Sequence, residues 1–229
     1  MQSLVLVGSG GCMQELLWQI TEYNKRVCIT DAWNVIGYVD TEPASKEINV
    51  GMGKCPYLGN DELLLNAKSV TNVAICVGNS HLREKLVAKY RQNSYIKYPD
   101  LILSDVKMCD NVQLGEGCII SMDCVLSTEV CLGNFVFLNM GVTICHQGRI
   151  GDFTTLSPYA KLAGNVTIGS RCDIGMGTVV IQGKTIGHNV VTGAGSVIVT
   201  DIMPDCTVVG VPAKKFGITD RKNEEKGCQ

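Results

Sequence analysis

Apolar residues recur at every sixth position from residue 102 to residue 203, with no insertion or deletion. Sixteen of the seventeen positions that lead these hexads carry an aliphatic residue or Met, and Thr192 is the exception. A period of six fits neither a strand nor a helix, and a short fixed repeat is typical of a solenoid. We therefore expect three hexads to close one coil, with leading side chains stacked along a packed axis. The leading residues are Ile102, Met108, Leu114, Ile120, Leu126, Leu132, Leu138, Ile144, Ile150, Leu156, Leu162, Ile168, Ile174, Val180, Ile186, Thr192 and Ile198.

Residues 1–97 follow a different pattern, in which short apolar runs alternate with helical periodicity. Strands are predicted at residues 4–8, 35–40 and 71–79, and helices after the first and third of them. The carboxyl ends of parallel strands meet at one edge of an α/β sheet, where ligands bind. A glycine-rich turn that opens a helix is suited to an anion, although the spacing here is not a complete dinucleotide fingerprint. The residues predicted to line this recess are Gly10, Gly11, Cys12, Asp40 and Gly78.

These patterns predict two domains and a short tail. Residues 1–97 form a Rossmann-like α/β domain, and residues 98–216 form the solenoid domain. Residues 217–229 are rich in charge and are predicted to be disordered.

Composition removes several classes of function. A net charge of −2 without a basic stripe argues against nucleic acid as a partner. No apolar run approaches the length of a membrane span, and no leader is visible, so we expect a cytoplasmic protein. The twelve cysteines include no Cys-x-x-Cys pair, which argues against a zinc site. Several of them occupy small inward positions of the repeat, as expected for core thiols in a reducing compartment.

A packed axis leaves no room for a substrate, so chemistry must occur on the outside of the coils. The sequence has three histidines. His146 is the third residue of its hexad, at a turn, and Gly164 follows it by one coil, which predicts open space beside the imidazole. His188 is interpreted as a surface residue, and His81 as the first turn of a helix.

Several motifs occur together along the chain: Gly8–Gly11, Asp40, Gly78, Asn79, Asn139, His146, Ile150–Phe153, Ala163–Gly169 and Val209–Lys214. In this combination they resemble the hexapeptide-repeat sugar O-acyltransferase family. That family includes sialic-acid O-acetyltransferases and nucleotide-aminosugar N-acetyltransferases, and the likeness covers nearly the whole chain. It implies a left-handed parallel β-helix, a homotrimer with acetyl-CoA between neighbouring helices, and a nucleotide sugar held by the N-terminal domain. It also implies a catalytic site with His146 as the general base and with Asn139 and Gln147 beside it in the predicted set.

Two positions depart from the family pattern. The family usually places an acidic residue directly after the base, where Gln147 stands here, and a histidine that contacts CoA where Thr155 stands. A neutral amide can orient an imidazole but cannot stabilise its charge. We expect contacts with CoA from Gly164, Met176 and Ala194, and Thr155 near the thioester.

The function that the resemblance implies is acetyl-CoA-dependent N-acetylation of a nucleotide-linked amino sugar. Gln147 favours nitrogen over oxygen as the acceptor, because an amine needs a weaker base than a hydroxyl. The alternatives are sugar O-acetylation and a non-catalytic sugar-nucleotide-binding relative. A zinc hydrolyase on the same scaffold needs three converging histidines, and His146 and His188 are not separated by whole coils. A nucleotidyltransferase would need a larger N-terminal domain.

Overall fold

The computed structural model describes residues 1–43 and 45–218. The chain divides into two compact units, one of Met1–Gly78 with Leu82–Pro99, the other from Asp100 onward with Asn79–His81. The predicted tail begins too early, because Gly217 and Ile218 end the last strand. The rest of the predicted tail, residues 219–229, lies outside the described residues.

The first unit, here called the α/β unit, is built on one six-stranded sheet with the order β3-β4-β2-β1-β5-β6. Every pairing in it is parallel except that of β3 with β4. The strands β3, β4 and β6 and the helix α2 were not predicted from the sequence. The elements are β1 (Gln2–Val7), α1 (Gly11–Asn24), β2 (Trp33–Val39), β3 (Glu47–Val50), β4 (Gly53–Gly59), α2 (Glu62–Leu65), β5 (Thr71–Ile75), α3 (Ser80–Tyr90) and β6 (Ile96–Lys97).

The carboxyl ends of the three central strands are tied to one another. The Gly8 N–H donates to the Val39 carbonyl at 2.9 Å, and the Cys76 N–H donates to the Val7 carbonyl at 2.9 Å. The chain runs from β1 to β2 on one side and later crosses to β5 on the other. The gap between the ends of β1 and β5 is therefore the topological switch point, where open α/β sheets bind ligands.

Helix α3 packs through a different face from the one its leucines predict. The sequence favoured a face with Leu82, Leu86 and Tyr90. Of these only Tyr90 is buried, and the other buried positions of the helix are Ser80, Arg83 and Val87. An arginine in the buried face was not expected, because arginine is almost never fully buried unless it is paired. Its partners, described below, explain the choice.

The second unit, here called the solenoid, is a parallel β-helix with three faces, so the predicted architecture is confirmed. Face 1 holds β7 (Leu101–Ile102), β9 (Ile119–Ile120), β12 (Phe137–Leu138), β15 (Thr155–Leu156), β18 (Asp173–Ile174), β21 (Val191–Thr192), β23 (Cys206–Val209) and β24 (Lys214–Ile218). Face 2 holds β8 (Lys107–Met108), β10 (Val125–Leu126), β13 (Thr143–Ile144), β16 (Lys161–Leu162), β19 (Val179–Val180) and β22 (Val197–Ile198). Face 3 holds β11 (Cys131–Leu132), β14 (Arg149–Ile150), β17 (Thr167–Ile168) and β20 (Thr185–Ile186).

Stacking in the solenoid follows the predicted repeat of three hexads. Leu138, for example, pairs with Leu156 in the next coil, and both side chains are fully buried. The one polar leading residue, Thr192, is also buried, and its hydroxyl shares a 2.8 Å hydrogen bond with that of Thr178. Cysteines at the small inward positions are buried as predicted: Cys118, Cys124 and Cys172.

The repeat is less regular at its two ends than the sequence suggests. In the first coil Met108 leads its hexad but is 37% exposed. At the other end Ile186 bridges to Ile202 rather than to residue 204, so this coil is two residues shorter than the others. The prediction of an unbroken phase up to residue 203 is therefore wrong after Ile198. Beyond this point β23 and β24 pair antiparallel and end the helix.

Candidate active site

The recess at the switch point of the α/β unit is lined by backbone. Gly10 precedes α1 without a side-chain cap, and the first N–H groups of a helix have no intrahelical acceptor. A Cβ added at Gly10, Gly11 or Gly78 would meet no atom within 4 Å. Gly8 has a φ of 104°, which strongly favours glycine. The structure thus gathers these glycines around open space beside a helix N-terminus.

Asp40 follows β2 at the same edge of the sheet. Its Oδ1 accepts the Glu42 N–H at 3.1 Å, which closes a short turn. Its backbone carbonyl accepts the Tyr57 hydroxyl at 3.3 Å, and its N–H donates to the Gly59 carbonyl at 3.3 Å. The carboxylate is therefore held by a fixed backbone and is only partly buried, as a contact to a sugar hydroxyl requires.

Arg83 is a site residue that the sequence reasoning missed. It is only 2% exposed, and its Nη1 donates to the carbonyls of Val77 at 2.7 Å and Gly78 at 3.1 Å. Burial raises the pKa of the Cys12 thiol to about 12, although the Arg83 guanidinium acts in the opposite direction. Cys12 therefore remains a neutral thiol at neutral pH, and Arg83 brings positive charge to the switch point.

The solenoid presents His146 at the turn between faces 2 and 3, here called the second corner. The His146 carbonyl accepts the Asn165 N–H at 2.9 Å, and the Gln147 N–H donates to the Thr128 carbonyl at 2.9 Å. The expected open space beside Gly164 is not there, because the imidazole itself packs on Gly164 and would overlap a Cβ at that position. The ring therefore packs against Gly164 on one side, and His146 remains exposed to solvent.

Gln147 adopts a left-handed backbone conformation, with a φ of 61°. Its Nε2 donates to Oε2 of Glu129 at 2.8 Å. Glu129 occupies the equivalent position one coil earlier, so the acidic side chain nearest this glutamine in the stack comes from another coil. A search along the chain for an acid adjacent to His146 overlooks it, although a comparison at a spacing of three hexads would have found it.

The remaining predicted residues of the solenoid lie elsewhere on it. Asn139, Met176 and Ala194 are at the turn between faces 1 and 2, here called the first corner, and Asn139 Oδ1 accepts the Met140 N–H at 2.8 Å. Thr155 lies on face 1 and is only 7% exposed. Within one chain, the structure therefore brings His146, Gln147 and Gly164 together but separates them from these four residues by at least one face.

Exposed apolar side chains line face 2 and the turns on either side of it. Met176 is 55% exposed, and valines of face 2 are also open to solvent. Exposed apolar residues gathered on one surface are typical of an interaction site. This set, here called the apolar strip, consists of Val125, Tyr159, Met176, Val179, Ile181 and Val199.

His188 lies at the turn between faces 3 and 1, here called the third corner. Its Nε2 is 3.6 Å from Oδ2 of Asp205. Asp205 Oδ1 accepts from Asn189 Nδ2 at 2.7 Å, and Asn189 Oδ1 accepts from Arg171 Nε at 2.9 Å. The third corner thus ends in a ladder of polar side chains, with His188 as its last, half-exposed member.

Within residues 1–43 and 45–218, no group of three or more His, Cys, Asp or Glu is arranged for a metal ion. Over the same residues, none of the helices has the length and apolar character needed to cross a membrane.

Known proteins match both units. Residues 3–90 match the model of the PglD N-terminal domain, and residues 148–182 match that of the bacterial transferase hexapeptide (six repeats). GDP-perosamine N-acetyltransferase of Escherichia coli O157:H7 is 29% identical over 202 residues, which are 83% of this chain and 82% of that protein. PerB from Caulobacter crescentus, solved with CoA and GDP-perosamine, aligns with a TM-score of 0.81 and 29% identity over 95% of this chain and 98% of its own.

A further solved structure aligns over nearly the same length. It is the acetyltransferase domain of PglB from Neisseria gonorrhoeae FA1090 in complex with acetyl coenzyme A, with a TM-score of 0.81, 28% identity, and coverage of 93% of this chain and 98% of that one. The fold and these matches define a hexapeptide-repeat acyltransferase. Within that class, the chain is similar along both units to nucleotide-aminosugar acetyltransferases.

Proposed function

We propose that this protein transfers the acetyl group of acetyl-CoA to the amino group of a nucleotide-linked sugar, in bacterial glycan biosynthesis. The observation that carries the proposal is the alignment of 95% of the chain with an enzyme solved with CoA and GDP-perosamine. The recess at Gly10, Gly11, Gly78 and Asp40 is proposed to hold the nucleotide sugar. A pyrophosphate fits beside the start of α1, because helix N-termini favour anions.

The chemistry is assigned to the second corner of the solenoid. The acceptor amine attacks the thioester carbonyl, a C–N bond forms, and the C–S bond to CoA breaks. The amine must lose a proton, which His146 accepts and later gives to the departing CoA thiolate. An imidazole can both accept and return a proton, which suits it to this exchange. Its seat on Gly164 holds the ring in one place, exposed side outward.

Two of the residues proposed to contact CoA lie at a different corner of the solenoid from the proposed base, so we propose that association of several chains completes the site. Met176 and Ala194 lie at the first corner and His146 lies at the second, with the apolar strip between them. A threefold arrangement of copies can bring the first corner of one chain to the second corner of the next and cover the strip. We therefore propose a homotrimer with acetyl-CoA between neighbouring solenoids. A monomer mass by light scattering at micromolar concentration would contradict the trimer. The cytoplasmic location likewise stays a prediction.

The test of the proposed function is a transfer assay with matched acceptors. The full chain is incubated with acetyl-CoA and with GDP-, UDP- and dTDP-linked amino sugars, each beside the same sugar carrying a hydroxyl in place of the amine. We expect CoA release and an N-acetylated product with at least one amino sugar and none with its hydroxyl partner. Acetylation of the hydroxyl sugars alone would favour the O-acetyltransferase alternative. The absence of any product would favour the non-catalytic one.

A further inference from the structure

Gln147 directly follows the proposed base, and its exposed side chain is hydrogen-bonded to the exposed side chain of Glu129 in the preceding coil. Its Nε2 donates to Glu129 Oε2 at 2.8 Å, so the nitrogen end of the amide faces the preceding coil. An amide carries its donor and its acceptor at opposite ends. Because the donor nitrogen of Gln147 is bonded to Glu129, its acceptor oxygen Oε1 turns away from the preceding coil.

Glu129 is itself held at its position in the stack. Its backbone N–H donates to Asn111 Oδ1 at 3.0 Å, and its backbone is left-handed with a φ of 58°. Asn111, Glu129 and Gln147 thus form one column at the second corner, in which each member fixes the next. Gln147 is next to His146 in the chain, and the backbone carbonyl of His146 accepts the Asn165 N–H.

We infer that Glu129 is a positioning residue for the proposed acetyl transfer, acting through Gln147 on the corner that carries His146. The inference rests on the proposed function. The carboxylate binds the amide nitrogen and so makes Gln147 an oriented hydrogen-bond acceptor beside the base. A neutral acceptor with a fixed direction can select the tautomer of a neighbouring imidazole and the orientation of an incoming amine, without adding charge at the corner.

Three variants test this role by turnover. Glu129→Ala frees the amide, and we expect kcat to fall about tenfold, the scale at which lost orientation of a catalytic group acts, while both KM values stay the same. Asp123→Ala is the matched control, because Asp123 is an exposed acid with the same left-handed backbone at the first corner of the same coil. The double variant Glu129→Gln with Gln147→Glu reverses the pair, keeps its hydrogen bond and should recover most of kcat.

A spectroscopic readout keeps the test independent of the substrate. The imidazole nitrogen signals of His146, assigned by their loss in His146→Ala, should differ between the wild type and Glu129→Ala and should not change in Asp123→Ala. Identical signals in the wild type and Glu129→Ala would overturn the inference, whatever the enzyme acetylates. So would a kcat within about twofold of the wild type in Glu129→Ala. If Glu129→Ala is fully active while His146→Ala is not, the inference fails and the proposed base stands.

Discussion

At the carboxyl edge of the α/β unit, the candidate contacts are mostly backbone: glycines with open space around them and the first N–H groups of α1. At the second corner of the solenoid, the candidate is a side chain, the His146 imidazole, seated on a glycine that has no room for a Cβ. Glycine thus serves opposite purposes in the two places. In one it leaves open space beside a helix N-terminus, and in the other its missing side chain makes room for the imidazole that is proposed as the base.

This difference predicts two kinds of mutational effect. Changes in the recess of the α/β unit should alter the affinity for the acceptor, because the contacts there hold groups remote from the reacting atoms. Changes at the second corner should alter kcat, because the loss of an interaction made only in the transition state lowers kcat without weakening ground-state binding. Each prediction below tests this division between effects on acceptor affinity and effects on kcat.

The largest effect is expected from His146→Ala. General-base catalysis contributes roughly 10²–10⁴-fold, so kcat should fall by about that factor while CoA still binds. The matched control is His188→Ala, because His188 is half-exposed and paired with Asp205 at the third corner. Steady-state kinetics and calorimetric titration of CoA measure the two properties separately.

The outcome with the two histidines also tests the comparison itself. A near wild-type kcat in His146→Ala would contradict the assignment of the base and leave solvent or the substrate to take the proton. A large loss in His188→Ala alone would transfer the chemistry to the third corner.

The next largest effect is expected from Gly164→Ala. The added methyl group would overlap the imidazole, so the ring must leave its seat, and the fold should tolerate this because only the end of a flexible side chain moves. We expect kcat to fall by about ten- to a hundredfold, as misplacement of a catalytic group does. The double variant with His146→Ala is the control. Without the ring the methyl should cost nothing more, and additive losses would show that Gly164 acts elsewhere.

Sequence reasoning was most successful where one spacing controls the structure. The six-residue period fixed the solenoid and the buried leading residues, because each coil repeats the same steric requirements. It could not show that Ile202 replaces residue 204 as the bridging partner, since the shortened coil keeps an apolar residue at a plausible place. In the α/β unit it missed β3, β4 and the buried Arg83, because their environment is set by contacts between distant segments.

The candidate site was partly predictable for the same reason. His146 and Gly164 are separated by one coil, so the sequence alone placed them side by side. The prediction of open space beside the imidazole was wrong, because a spacing shows which residues are neighbours and not which side chain fills the space between them. The pairing of Gln147 with Glu129 obeys the same spacing, and it was missed because the resemblance directed attention to the adjacent residue.

A smaller effect, of the other kind, is expected from Asp40→Ala. Hydrogen bonds to charged groups contribute about 1.5–3 kcal/mol, so loss of a contact to a sugar hydroxyl should raise the acceptor KM by at least about tenfold. The KM for acetyl-CoA and the kcat at saturation should stay unchanged. Glu42→Ala is the control, because Glu42 is exposed and bonds Asp40 only through its backbone N–H. Weaker CoA binding in Asp40→Ala would mean that the roles of the two units are reversed.

The smallest effect concerns stability and should be confined to the α/β unit. The buried Tyr90 hydroxyl donates to Asp61 Oδ1, and Asp61 also pairs with Lys89. Burial, followed by the bond to Asp61, raises the pKa of Tyr90 well above its ordinary value. The folded protein then keeps a proton that the unfolded chain releases above about pH 10, so the contribution of Tyr90 to the free energy of unfolding should be constant below that pH and fall above it. Tyr90→Phe should cost about 1 kcal/mol near neutral pH and make the alkaline decline less steep, whereas Tyr95→Phe, at an exposed position, should do neither.

Both tryptophans, Trp18 and Trp33, lie in the α/β unit, so denaturation followed by their fluorescence reports on that unit, and circular dichroism includes the solenoid. An equal alkaline decline in Tyr90→Phe and the wild type would show that other groups titrate there, and a matching shift in the solenoid signal would show that the two units unfold together.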